Sequence, residues 1–253
     1  MRIAQDQGVG LAGVHRSTHF GCSSHYVMQA LKADMLSLVF TNSSPALPPF
    51  GGARALLGAS PFAAGAPSNQ AHPLVLDMST TVIARGKLRL MAQRGEDIPP
   101  GVGLDKEGRP TLDGMEAFHG VTLPFGGAKG AALALVMDIF SGLFTAAAFG
   151  GRVRSLYNDA DAAQDVGHFI LCMRPDLFLP STQTFKDRMD ELVSILKRQP
   201  CAEGFEEILM PGEPETRCEQ QRRVEGVPLQ EDVVTSLKAE GEQMGLEFPT
   251  ALE

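Results

Sequence analysis

The residues best suited to chemistry stand in a few short clusters. His15, His19 and His25 lie close together near the start of the chain. On a helix His15 and His19 would share a face and could bind a metal. The β-branched Thr18 and Gly21 instead favour a strand running into a loop, and no carboxylate lies close in sequence, so no metal site is expected. His19, beside Phe20 and Gly21, is then placed to project from a strand end into a pocket. An imidazole there can give or take a proton near neutral pH. A second cluster, Leu76-Asp77-Met78-Ser79-Thr80-Thr81, puts a carboxylate and three hydroxyls at a strand end. These groups could hydrogen-bond a ribose or a phosphate, and they could equally cap a helix.

Two glycine-rich runs carry a different chemistry. In Pro124-Phe125-Gly126-Gly127-Ala128-Lys129-Gly130 the glycines allow close backbone approach and Lys129 can neutralise a phosphate. The run does not fit the Walker A pattern. Gly8-Val9-Gly10-Leu11-Ala12-Gly13 matches G-x-G-x-x-G, which holds pyrophosphate when a strand turns into a helix. Here Ile3 to Gln7 reads as the end of a helix, and Val14 to Thr18 does not read as the opening of one. A Rossmann loop is therefore not expected. Pro211-Gly212-Glu213-Pro214-Glu215 is, by itself, a turn.

Something must hold these clusters in place. Leu36 to Thr41 and Pro73 to Met78 have the length and composition of strands, and Val166 to Met173 is a further apolar strand. Phe185 to Arg198 carries Phe185, Met189, Leu192, Val193 and Leu196 on one helix face and stops at Pro200. Glu231 to Met244 is a second amphipathic helix, closed by Gly245. Gly130 to Gly150 is apolar enough to suggest a membrane span, but Asp138 sits in its middle. A core or interface helix is expected instead. Strands mixed with helices, without regular βαβ alternation, predict a mixed α/β fold: a largely antiparallel sheet with flanking helices.

Composition narrows the functional classes. A net charge of −8, no Trp and two Tyr argue against a nucleic-acid surface. Cys22, Cys172, Cys201 and Cys218 form no C-x-x-C pair and have no zinc spacing. Reduced thiols in the cytoplasm are expected, and the apolar stretch of a secretory signal does not stand at Met1 to Asp6.

Taken together and in order, the motifs resemble the type-2 malate/L-lactate dehydrogenase family. The matching pieces include Ser17-Thr18-His19-Phe20-Gly21, Thr41-Asn42-Ser43-Ser44-Pro45, Leu76-Asp77-Met78-Ser79-Thr80, Gly126-Gly127-Ala128-Lys129-Gly130, Val166-Gly167-His168-Phe169 and Pro211-Gly212-Glu213. The resemblance implies a non-Rossmann dinucleotide fold, a homodimer, and a site in a cleft between lobes. It implies NAD or NADP as cofactor and hydride transfer to or from C2 of a small 2-hydroxy or 2-oxo acid. It further implies an acid/base role for His19, with Ser43, Asp77, Met78, Ser79, Lys129, Gly130, Gly212 and Glu213 at the cofactor. Residues 1–215 are expected to form the dinucleotide-binding core, and 216–253 a helical segment packing on the N-terminal lobe.

The sequence departs from the family pattern at several points. The family's Ser-His-Gly-x-x-Arg motif, which supplies another histidine and a carboxylate-binding arginine, does not occur in this sequence. Met1 aligns inside the family domain, so the expectation is a form without that N-terminal region. Arg16 stands where Asn is usual, and Ala131-Ala132 where Tyr-Gly is usual. The alternative to a dehydrogenase is a catalytically silent relative that binds nucleotide or a partner.

Overall fold

The computed structural model describes residues 1–156 and 161–249. In chain order the first elements are α1 (Arg2–Gln7), β1 (Val9–Ser17), α2 (Ser23–Leu31), β2 (Leu36–Thr41), β3 (Pro45–Leu47), β4 (Leu57–Gly58), β5 (Phe62–Ala66) and β6 (Leu74–Met78). They are followed by α3 (Arg85–Gln93), β7 (Gly103–Leu104), β8 (Pro110–Thr111), α4 (Gly114–His119), β9 (Val121–Thr122) and α5 (Ala128–Asp138). A π turn (Ile139–Leu143), β10 (Val166–Met173), α6 (Thr182–Lys197), α7 (Glu213–Glu225) and α8 (Glu231–Met244) complete the order.

The main sheet has the order β1-β10-β2-β5-β6, with every neighbouring pair antiparallel. The expected antiparallel sheet with flanking helices is therefore what the chain forms. Its two faces follow from the period of two along each strand. Val39 of β2 and Ala63 of β5 pack with Val27 of α2. On the opposite face Phe40 stacks on Phe169 at 5.7 Å and meets Phe140 of the π turn at 6.0 Å. Helix α2 thus covers one side of the sheet and the π turn after α5 the other. The small residues of β5 make the first contact possible: a Cβ on Gly65 would lie 2.3 Å from Val27 Cγ1.

The run Gly8 to Gly13 joins α1 to β1. Helix–turn–strand is the reverse of the pyrophosphate-binding geometry, so the pattern has a packing cause. A Cβ on Gly10 would lie 2.9 Å from the Ala4 nitrogen.

The apolar stretch from Gly130 onward does not continue as one helix. No helix among the described residues is long and apolar enough to cross a membrane. Asp138 is buried and accepts hydrogen bonds from the Gly150 N–H (2.9 Å) and from Asn42 Nδ2 (3.4 Å). Asn42 also accepts from the Gly167 N–H (2.9 Å) and donates to the Ala148 carbonyl (2.6 Å). A carboxylate inside an apolar layer is stable only with such donors, and these fold residues 142–150 back against β2 and β10.

At the C-terminal end, α7 begins at Glu213, inside the turn, and α8 buries none of its residues.

Candidate functional site

His19 lies in the loop that follows β1, on the α2 side of the sheet. Its backbone N–H donates to Gln164 Oε1 (3.3 Å), and the Thr18 hydroxyl bonds the same oxygen. Gly21, at φ +89°, turns its own N–H onto His19 Nδ1 at 3.1 Å. An Nδ1 that accepts places the proton of the neutral ring on Nε2, the nitrogen left to meet a ligand. Phe20 is clamped between two rings. His168 stacks on it at 4.2 Å with 4° between planes, and Tyr26 at 4.8 Å with 19°. The Tyr26 hydroxyl donates to the Phe20 carbonyl at 3.1 Å.

His168 is the buried base of this arrangement. Its Nδ1 lies 2.8 Å from Thr41 Oγ1 and its Nε2 2.9 Å from Ser17 Oγ. Burial pulls its pKa below the ordinary 6.5, with the neighbouring His19 adding to the effect and a backbone hydrogen bond at Thr18 opposing it. A neutral His168 therefore links β1, β2 and β10 beneath the His19 loop.

Two cavities gather the sequence-predicted residues. A small one, about 130 Å³, is lined by His19, Gly21, Asn42, Ser43, Ser44 and Gln164 among others. It brings His19 and Ser43 together across separate elements. Ser43 is held closely: a Cβ on Gly58 would lie 2.5 Å from both the Ser43 carbonyl oxygen and Oγ. A larger cavity, about 590 Å³, lies between α2, β6 and α7 and joins Asp77 to Gly212. Asp77 Oδ2 accepts the Ser24 N–H at 2.7 Å, in the first turn of α2. Gly212, at φ +89°, caps α7 and sits against β6, where a Cβ would lie 2.9 Å from Val75. The Val75 N–H donates to the Pro211 carbonyl at 3.1 Å and fixes the turn to the strand.

The other predicted residues line neither cavity. Met78 is half-buried at the end of β6, and Ser79 Oγ lies 2.9 Å from Thr81 Oγ1. Lys129 and Gly130 open α5 after Gly126 and Gly127, both at positive φ. The Phe125 N–H donates to the Thr80 carbonyl at 3.1 Å, which ties this turn to the segment after β6. A Cβ on Gly130 would lie 2.1 Å from the Phe125 oxygen, so the turn tolerates only glycine there. Lys129 is exposed and makes no ion pair among the described residues. Lys129 is thus an unpaired cation on a glycine-rich helix start, a place that suits a phosphate.

Glu213 opens α7 directly after Gly212. Its carboxylate is buried and receives Lys197 Nζ at 2.7 and 2.8 Å, Arg217 Nη2 at 2.6 Å and the Met210 N–H at 3.2 Å. Arg217 also pairs with Glu207. The Lys197 ammonium is the leading cause that brings the Glu213 pKa down to about 2, against the opposing effect of burial. All of this holds the start of α7.

Sequence reasoning gave no role to Gln164, His168 or Glu215. Gln164 stands 145 residues from His19, and no local spacing could pair them. Gly21 marked the strand-to-loop turn in the sequence, and the structure adds that its N–H bonds His19 Nδ1.

The family model described as malate/L-lactate dehydrogenase matches residues 1–238. The malate/(S)-sulfolactate dehydrogenase of Methanothermus fervidus is 36% identical over 245 residues, covering 97% of this chain and 70% of the relative. The ureidoglycolate dehydrogenase (NAD(+)) of Escherichia coli O157:H7 is 33% identical over 92% of this chain and 66% of its own length. The chain thus spans about two thirds of the length of these relatives. Among solved structures, the sulfolactate dehydrogenase of Methanocaldococcus jannaschii superposes with a TM-score of 0.86 at 35% identity, over 97% of this chain and 70% of that one. Malate dehydrogenase from Pyrococcus horikoshii OT3 gives 0.85 at 28%, over 97% and 68%. By sequence and by fold, the chain belongs to the malate/L-lactate dehydrogenase family.

Proposed function

We propose that this chain is an NAD(P)-dependent oxidoreductase acting on the CH–OH group of a small 2-hydroxy acid, or in reverse on the 2-oxo acid. The observation that carries the reading is His19, held with Nε2 free, at the mouth of a small cavity it shares with Ser43. The bound nicotinamide would supply or take the hydride at substrate C2. His19 Nε2 would bond the substrate oxygen, on which charge changes as the hydride moves. Gly21, Gln164 and the Phe20 stack would hold the imidazole in place. Asp77, Met78 and Ser79 at the end of β6, Ser43, the Lys129–Gly130 turn and Gly212 would contact the dinucleotide, with Glu213 holding the Gly212 turn from behind. We take the chain as a cytoplasmic homodimer. The exposed apolar residues Leu135, Ile139, Leu143 and Phe144 on α5 and the turn after it are the kind of surface such a pairing covers.

A second reading, a nucleotide-binding relative without turnover, is favoured by one observation. Among the described residues lining the cavity beside His19 there is no arginine or lysine to pair with a substrate carboxylate. Nicotinamide fluorescence decides between them. The chain is titrated with NADH and NADPH, then assayed with malate, sulfolactate and ureidoglycolate. Saturable binding weakened by Lys129→Ala, with turnover lost by about 10²-fold or more in His19→Ala, supports the dehydrogenase. Binding without turnover supports the second reading, and no binding of either nucleotide by folded protein refutes both.

A further inference from the structure

We propose that the larger cavity receives the adenosine end of the nucleotide and selects an unphosphorylated ribose, that is NAD(H) over NADP(H), with Glu215 setting the choice. The inference rests on the reading of the chain as a nicotinamide-dependent dehydrogenase.

The cavity has the two kinds of wall that a nucleoside needs. Met28 and Leu31 of α2 face Val75 of β6 and offer apolar surface to a flat base. The rim is charged: Asp77, Glu215 and Glu219 stand with Lys32, and Arg223 pairs with Glu219. The three carboxylates are not equally committed. Glu219 bonds Arg223 at 3.0 and 2.5 Å. Asp77 spends Oδ2 on the Ser24 N–H. Glu215 has no ion pair or side-chain hydrogen bond among the described residues, and its carboxylate is exposed at the cavity.

The backbone that carries Glu215 is fixed. It lies in the first turn of α7, whose start is pinned by Gly212 against Val75 and by Glu213 between Lys197 and Arg217. A helix N-terminus attracts anions, but here Glu215, unpaired among the described residues, already stands in that first turn with negative charge. A carboxylate accepts a hydrogen bond from a ribose 2′-hydroxyl. A 2′-phosphate would instead bring about −1.5 to −2 charge toward Glu215, and like charges at an interface reject a ligand by repulsion.

The test is the affinity of the full chain for NADH and for NADPH, by nicotinamide fluorescence and calorimetry at low and high salt. It is run on the wild type, Glu215→Gln and Glu215→Lys. Glu215 is exposed, so neither substitution disturbs the core, and circular dichroism checks this. Wild type should bind NADH at least about tenfold tighter than NADPH. Salt should narrow that ratio, Glu215→Gln should shrink it, and Glu215→Lys should move it toward NADPH. NADPH bound as tightly as NADH, or a ratio unmoved by either substitution, overturns the selectivity while leaving the dehydrogenase reading standing. Failure to bind either nucleotide overturns both.

Discussion

Glu213 offers the sharpest test of how this fold holds its site. Its carboxyl titrates at about 2, against an ordinary 4.5. That difference corresponds to about 3 kcal/mol of stability when the group is ionised in both states. Lys197 and Arg217 remain 35% and 45% exposed, and solvent screening brings the contribution nearer 2 kcal/mol. The folded pKa is depressed, so this stability is fully present above pH 4.5 and is lost as pH falls toward 2. Glu213→Gln keeps the shape and removes the charge. Urea unfolding near neutral pH should show the variant less stable by about 2 kcal/mol, and the gap should close as pH drops to about 3 and below. The variant should also bind nucleotide more weakly, because Gly212 and Glu215 depend on the same turn. A gap that stays constant across this range, or one under about 0.5 kcal/mol at neutral pH, would refute the assignment of Glu213 as the ionic anchor of α7.

Two further outcomes follow from the site. Gly58→Ala forces a methyl against the Ser43 backbone and hydroxyl; it should destabilise by about 1–3 kcal/mol, read by urea unfolding, and weaken NADH binding more than an alanine at solvent-open Gly86 does. His168 is held neutral by burial, its pKa below 6.5, so the unfolded chain takes up that proton first as pH falls. Its contribution is present above pH 6.5 and declines below it. His168→Gln should therefore flatten the fall of melting temperature between about pH 7 and pH 5, and an unchanged slope would count against a buried neutral His168.

Much of the framework was legible along the chain. The apolar runs at Leu36–Thr41, Pro73–Met78 and Val166–Met173 became β2, β6 (from Leu74) and β10, because a continuous or alternating apolar run has few other ways to bury itself. Pro200 and Gly245 marked where α6 and α8 end, since one cannot continue a helix and the other accepts the left-handed turn that closes it. Strand β5 was not legible. Phe-Ala-Ala-Gly-Ala has little strand character, and its small residues answer to the closeness of α2. The ordered motifs also carried the family, and with it His19.

What the motifs could not carry was the company each residue keeps. Asp138 was read as an argument against a membrane; only the tertiary structure makes it the acceptor that folds residues 142–150 back. Glu213 was expected at the cofactor from its motif alone; only the tertiary structure gives it Lys197 and Arg217 as partners. His168 reaches Ser17 across 151 residues, and Gln164 reaches His19 across 145. Local spacing records which side of a strand or helix a residue occupies. Which partner waits on that side is decided by sheet order and register, and these are fixed only when the whole core closes.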